Sequence, residues 1–247
     1  MTTTLAPAAV GHPARFSGPI LASIAPIVET EAARLGRTLR LLDPFAGIGT
    51  VHELAREGCW TIGIELEPEW AGQHPRTIVG DATTLPFPDG VFDAIVTSPT
   101  YGNRMADHHN ARDGSRRVTY RHTLGRALTP GNSGAMQWGE PYRKLHLRAW
   151  TEARRVLVPG GLLVVNVSDH IRKGTVVPVV TWHLDALQTV GFDIERFMEI
   201  PTRRMRFGAN HSRRVTAEVV VVARRFSQRL ETCDLTLPVS IPQAFSR

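Results

Sequence analysis

Apolar positions along this chain alternate between helical and strand spacing, and the switches mark out a repeating βα order. Ile20, Leu21, Ile24, Ile27 and Val28 recur at helical spacing over 19–35, with Gly36 as a natural stop. A first strand is predicted at 40–42 and its helix at 50–57, closed by Gly58. Further strands are predicted at 60–65, 76–80 and 92–97. Within 140–157, Leu145, Ala149, Trp150, Ala153 and Val156 form a helical stripe. A turn at 158–161 leads into a buried strand at 162–167. A helix over 176–190 stops at Gly191, and strands at 192–200 and 216–223 follow with no crossover helix between them. This order predicts an α/β, Rossmann-like, doubly wound and mostly parallel seven-stranded sheet with an antiparallel last strand. One domain is expected over 12–226, between tails at 1–11 and 227–247.

The stretch 41–50 organises the rest. Leu41 and Leu42 run into Asp43, and the turn that follows carries Gly47 and Gly49 before Thr50. A glycine admits positive φ and lets a ligand approach the backbone. A strand-turn-helix of this kind faces the ligand crevice at the carboxyl edge of a parallel sheet. The other early strands also end in polar residues: Glu65, Asp81 and Ser98. Glu65 is placed to accept from two ribose hydroxyls and Asp81 from an adenine amino group.

Composition adds a partner and removes several classes. The length of 247 residues suits one α/β domain, and a 42% hydrophobic fraction is ample for its core. A net charge of +6 suggests a polyanionic partner. Cys59 and Cys233 lie far apart and form no CxxC pair, which excludes a disulfide scaffold and a cysteine zinc site and fits a reducing compartment. No apolar run approaches the roughly 20 residues of a membrane span, and the first ten residues lack the features of a secretory signal. A cytoplasmic protein is expected. Residues 102–139 show neither period and form a basic loop; nine Lys or Arg fall between Gly102 and Trp150. A second basic cluster, Arg203, Arg204, Arg206, Arg213 and Arg214, lies between the last two strands. Phosphate contact is the functional reading, with Arg104, Arg116, Arg117, Arg121, Arg204 and Arg206 as candidates. His108, His109 and His122 show no ligand spacing, so no metal is expected.

Asp-Pro-Phe-Ala-Gly-Ile-Gly-Thr (43–50), followed by Ser-Pro-Thr-Tyr (98–101), resembles the class I S-adenosylmethionine-dependent methyltransferases that modify exocyclic amines of bases. The nearest group is the DNA adenine-N6 and cytosine-N4 enzymes. The resemblance implies that Asp43, Phe45, Ala46, Gly47, Gly49 and Thr50 surround the methionine part of S-adenosylmethionine. It implies that Glu65 holds the ribose, that Asp81 with Ala82 holds the adenine, and that Ser98 borders the cofactor. His12, Phe16 and Ser17 lie in a segment similar to the lid of such enzymes. Ser98 and the Pro99 carbonyl would each accept an N–H of the target amine, turning its lone pair toward the methyl group, while Tyr101 stacks on the extruded base. Thr100 departs from the family, whose third position is usually a second proline. DNA is the favoured partner. Alternatives are an RNA base methyltransferase and a catalytically silent nucleic-acid binder of the same fold.

Overall fold

The computed structural model describes residues 11–12, 14–55, 58–102, 119–202 and 215–227. Helix α1 (Gly18–Leu35) precedes strand β1 (Leu39–Asp43), a 3-10 turn (Thr50–Leu54), β2 (Cys59–Glu65), the short α2 (Pro68–Ala71), β3 (Thr77–Val79) and β4 (Phe92–Thr97). Helices α3 (Tyr120–Leu124) and α4 (Glu140–Val156) lead to β5 (Leu157–Val167). A small hairpin, β6 (His170–Arg172) and β7 (Thr175–Val177), then gives way to α5 (Val179–Thr189), β8 (Phe192–Pro201) and β9 (Ala217–Arg225).

Seven strands form one sheet in the order β3-β2-β1-β4-β5-β9-β8. Pairings among the first five are parallel, and β9 runs antiparallel to both β5 and β8. The doubly wound α/β class expected from the periodicity is therefore the observed one. Strand order reverses between β1 and β4, which opens a crevice beyond their carboxyl ends.

Alternate residues of each central strand feed two cores. Leu42, Ile95, Leu163 and Val165 face the side where α4 and α5 contribute Trp150, Ala153, Val156, Ala186 and Leu187. Leu41, Ala94, Val96, Leu162 and Val164 face the side covered by Ile20, Ile24 and Val28 of α1. Each Val, Leu or Ile side chain among them withdrawn from water contributes about 1.5–3 kcal/mol. Two buried acids fix the α1 side. Glu31 binds Arg34 and, across the layer, Arg224 of β9 at 2.8 Å. Asp93, 1% exposed, takes Arg37, Arg40 and the Arg40 backbone N–H.

The fold departs from the sequence expectation in four places. The helix expected over 176–190 begins only at Val179, because Val176 and Val177 belong to the β6–β7 hairpin. Instead of a helix over 50–57 there is only a five-residue 3-10 turn, because buried His52 stands between the Thr61 and Thr77 hydroxyls at 2.9 Å from each and anchors the segment to β2 and β3. The residues 158–161 lie within β5 rather than in a turn before it. The part of the basic loop within the described residues, 119–139, is built rather than structureless, with α3, a 3-10 turn (Ser133–Ala135) and the contacts described below. Of the tails expected at 1–11 and 227–247, residues 1–10 and 228–247 lie outside the described residues. Among the described residues no helix is long and apolar enough to cross a membrane, and no cluster of three or more His, Cys, Asp or Glu is arranged to hold a metal.

Candidate active site

The carboxyl ends of β1, β2 and β4 converge on a cavity of about 310 Å³. Asp43 closes β1 and is 1% exposed. Its carboxylate accepts the Phe45 N–H at 2.9 Å and the Thr97 hydroxyl at 2.6 Å, so it folds the loop back and ties it to the end of β4. Burial pushes the Asp43 carboxyl up to about 7 against those two hydrogen bonds. Glu65 closes β2. Its two oxygens accept the Gly47 and Glu67 N–H groups, both at 2.9 Å, and burial raises this carboxyl also to about 7.

Gly47 is held at φ +54°, and a Cβ there would stand 3.3 Å from His12 Nε2. His12 packs edge-on against Trp70 with ring centroids 4.3 Å apart, and 5.3 Å from Tyr120. Its Nδ1 accepts the Ala14 N–H at 3.3 Å, and burial lowers its pKa to about 4. The ring is therefore neutral at pH 7 and acts as wall rather than charge.

Across the cavity, Ser98 and Tyr101 join two residues that the sequence reading did not single out. The Tyr101 hydroxyl donates to Glu218 Oε2 at 3.1 Å and lies 3.2 Å from Ser98 Oγ. Asn166 Nδ2 donates to the same Glu218 oxygen at 2.7 Å and sits 3.1 Å from the Tyr101 oxygen and 3.3 Å from Ser98 Oγ. Topology explains the meeting. Because β9 is antiparallel, its first residues lie at the carboxyl edge of β5, where Asn166 pairs with Val220 and Val167 with Val219. A polar Asn166 inside an apolar run, and an acid just before 219–223, were the available signals.

The third wall comes from 119–139. Glu67, fully buried, accepts from the Thr129 N–H at 2.8 Å, the Thr129 hydroxyl at 3.0 Å, Asn132 Nδ2 at 2.8 Å and Arg126 at 2.6 Å. These bonds bring Gly131, Asn132 and Ser133 onto the cavity, with Tyr120 beside them. Arg126 is thus a structural cation, paired with Glu67 and Glu69, rather than part of a phosphate grip. Arg121 stands exposed on α3. Arg104, Arg116, Arg117, Arg204 and Arg206 lie outside the described residues.

Of the residues predicted for the site, His12, Phe16, Asp43, Phe45, Ala46, Gly47, Thr50, Glu65, Asp81, Ala82, Ser98, Pro99 and Tyr101 all line this one cavity. Two do not. Ser17 and Gly49 border a separate recess beside His52 and His74, whose rings stack 3.7 Å apart. Gly49, at φ +83°, makes room for that pair: a Cβ would fall 2.7 Å from His52 Cδ2 and 2.9 Å from His74 Cβ.

No protein-family model matches the chain. A stretch of 87 residues, 33% of this chain, is 38% identical to a demethylmenaquinone methyltransferase from Mycolicibacterium vanbaalenii and covers 37% of that protein. A longer stretch of 142 residues, 54% of this chain, is 30% identical to the protein of the same name from Corynebacterium efficiens and covers 60% of it. The chain therefore matches only about a third to three-fifths of the length of these curated relatives. A solved S-adenosylmethionine-dependent methyltransferase from Methanosarcina mazei superposes with a TM-score of 0.54 at 16% identity, over 82% of this chain and 98% of that one. The fold is that of the Rossmann-like methyltransferases.

The donor set suits S-adenosylmethionine. Two carboxylates, Asp43 and Glu65, complement a cation, and their raised pKa values mark charge sites that such a ligand would relieve. The Cβ-free backbone at Gly47 leaves the approach open between His12 and the carboxylate of Glu65. Asp81, whose Oδ1 accepts the Thr83 N–H at 2.7 Å, presents its carboxylate with Ala82 at the far end.

Proposed function

We propose that this protein transfers a methyl group from S-adenosylmethionine to an exocyclic amine of a nucleic-acid base, with DNA the favoured substrate. The observation that carries the reading is that Ser98, Pro99 and Tyr101 line the same cavity as the 43–50 loop and Glu65. When bound, the cofactor supplies an electrophilic methyl group. Glu65 and the Gly47 backbone would hold its ribose side, Asp81 and Ala82 its adenine, and the loop from Asp43 to Thr50 its amino-acid portion. Ser98 and the Pro99 backbone orient the acceptor, and the ring of Tyr101 walls the pocket. His12, Trp70 and Tyr120 exclude water from the cofactor side. Net charge of +6 supports a polyanionic partner.

Nucleoside mass spectrometry of DNA and RNA from cells expressing the protein, against cells expressing Ser98→Ala, tests this reading. A methylated amine in DNA that vanishes with Ser98→Ala is the expected result. A second reading, methylation of a small quinone-type acceptor, is favoured by the relatives named demethylmenaquinone methyltransferases. Unmodified nucleosides together with labelled methyl transfer to a demethylated menaquinone would decide for it.

A further inference from the structure

We propose that Glu218 is the proton acceptor of the reaction, reached from the substrate through Ser98 and Tyr101. This inference rests on the amine-methylation reading above. A carboxylate only accepts hydrogen bonds, so the Tyr101 proton points to Glu218 Oε2, 3.1 Å away. With that proton committed, the 3.2 Å contact between Ser98 Oγ and the Tyr101 oxygen is a bond in which Ser98 donates. Every O–H therefore points the same way, from Ser98 to Tyr101 to Glu218. Ser98 Oγ keeps acceptor capacity, and both Ser98 and Glu218 line the cavity. Asn166 fixes the register: one Nδ2 proton goes to Glu218 at 2.7 Å and the other is shared between the Tyr101 and Ser98 oxygens, at 3.1 and 3.3 Å.

Methylation of an amine releases a proton, and this path gives it an outlet. As the nitrogen lone pair forms the N–C bond, the C–S bond breaks with its electron pair passing to sulfur, which leaves as a neutral thioether. The nitrogen, now with four bonds and a positive charge, must lose a proton. That proton passes to Ser98 Oγ while Ser98 hands its own to Tyr101 and Tyr101 hands its own to Glu218. Sulfonium, amine and carboxylate become thioether, methylamine and carboxylic acid, so atoms and charge balance. Tyr101 is then more than a stacking surface, and removing only its hydroxyl breaks the path.

Three measurements on Glu218→Gln, Glu218→Asp and Tyr101→Phe test this. First, in the unliganded protein, ultraviolet titration follows the phenolate of Tyr101, identified as the signal absent from Tyr101→Phe. A carboxylate acceptor favours the neutral phenol, so Glu218→Gln should ionise Tyr101 at lower pH. Second, calorimetry should find S-adenosylmethionine affinity within about threefold of the parent in every variant. Third, single-turnover transfer of labelled methyl to pooled cellular DNA and RNA should fall about 10²-fold in Glu218→Gln and Tyr101→Phe, with partial recovery in Glu218→Asp. An unmoved phenolate overturns the relay whatever the reaction proves to be. A parent-rate Glu218→Gln that binds the cofactor overturns it while leaving amine methylation standing. A parent that binds no cofactor, or that labels neither pool, overturns the functional reading and the relay together.

Discussion

The Tyr142 hydroxyl donates to the Thr100 carbonyl oxygen at 2.6 Å, which ties the first turn of α4 to the tetrapeptide at the end of β4. Behind Tyr142 stands a chain with one possible direction. The Trp150 indole is a donor only and reaches His183 Nδ1 at 3.1 Å, so the neutral ring carries its proton on Nε2 and donates to the Tyr142 oxygen at 2.9 Å. Burial holds His183 well below its ordinary pKa, with His146 adding to the effect, which keeps the ring neutral. Tyr142→Phe should leave the Thr100 carbonyl and the His183 N–H without these partners and cost about 1–3 kcal/mol. Urea unfolding reads this as a lower midpoint at unchanged slope. A midpoint equal to the parent's would mean that the chain does not hold the tetrapeptide.

Glu67 plays the matching role on the opposite wall. It is the buried acceptor for Arg126, Thr129 and Asn132, with about four hydrogen bonds converging on one carboxylate. Glu67→Gln keeps the size but removes the charge and turns one acceptor into a donor. Hydrogen exchange should then accelerate at amides across 126–132 by at least tenfold while β1, β4 and β5 stay protected. Equal protection in parent and variant would show that packing around Tyr120 and Trp70 holds the wall unaided.

The parallel core was legible because its strands carry their own signal: Leu41–Leu42, 92–97 and 162–167 are apolar runs buried on both faces. The cavity lining was legible where Asp43 and Glu65 close β1 and β2 and Gly47 lies in the turn after β1, because at strand ends sequence position and spatial position coincide. Glu218 was not, since only the antiparallel pairing of β9 turns the start of that strand toward the site. Glu67 and Arg126 are 59 residues apart, and a partnership at that distance leaves no periodic trace. Gly49 lies off the main cavity, and sequence alone could not place it: positive φ suits a ligand cradle and a crowded histidine pair equally, and this glycine packs against His52 and His74.

Ligand affinity should depend on pH through Asp43 and Glu65. Both carboxyls are raised by burial to about 7 from ordinary values of 3.8 and 4.5. Between about pH 4.5 and 7 the folded protein holds protons that the unfolded chain has released, so these groups lower stability as pH rises through that window. A cationic ligand favours their charged forms. Calorimetry should therefore find S-adenosylmethionine binding tighter at pH 8 than at pH 6 by about tenfold, with the thioether product less sensitive, since it keeps the ribose hydroxyls that Glu65 would hold but lacks the sulfonium charge. Parallel pH dependence for the two ligands would remove these carboxylates from cation recognition.

Gly47 and Gly49 should fail in different ways, although both adopt positive φ. At Gly49 a Cβ meets His52 at 2.7 Å and His74 at 2.9 Å, inside a packed layer against β2 and β3. Gly49→Ala combines left-handed strain of about 1–2 kcal/mol with overpacking of about 1–3 kcal/mol. It should lower the urea midpoint sharply whether or not ligand is present. At Gly47 the nearest atom is His12 Nε2 at 3.3 Å, which a small ring displacement relieves. Gly47→Ala should therefore cost only the strain of about 1–2 kcal/mol, while its methyl group enters the approach to the cavity beside Glu65 and weakens S-adenosylmethionine binding at least tenfold. Urea unfolding and calorimetry on the two variants separate these outcomes. Should Gly49→Ala remain as stable as the parent yet lose the ligand, the recess at His52 and His74, rather than the cavity at Asp43 and Glu65, would be the ligand site.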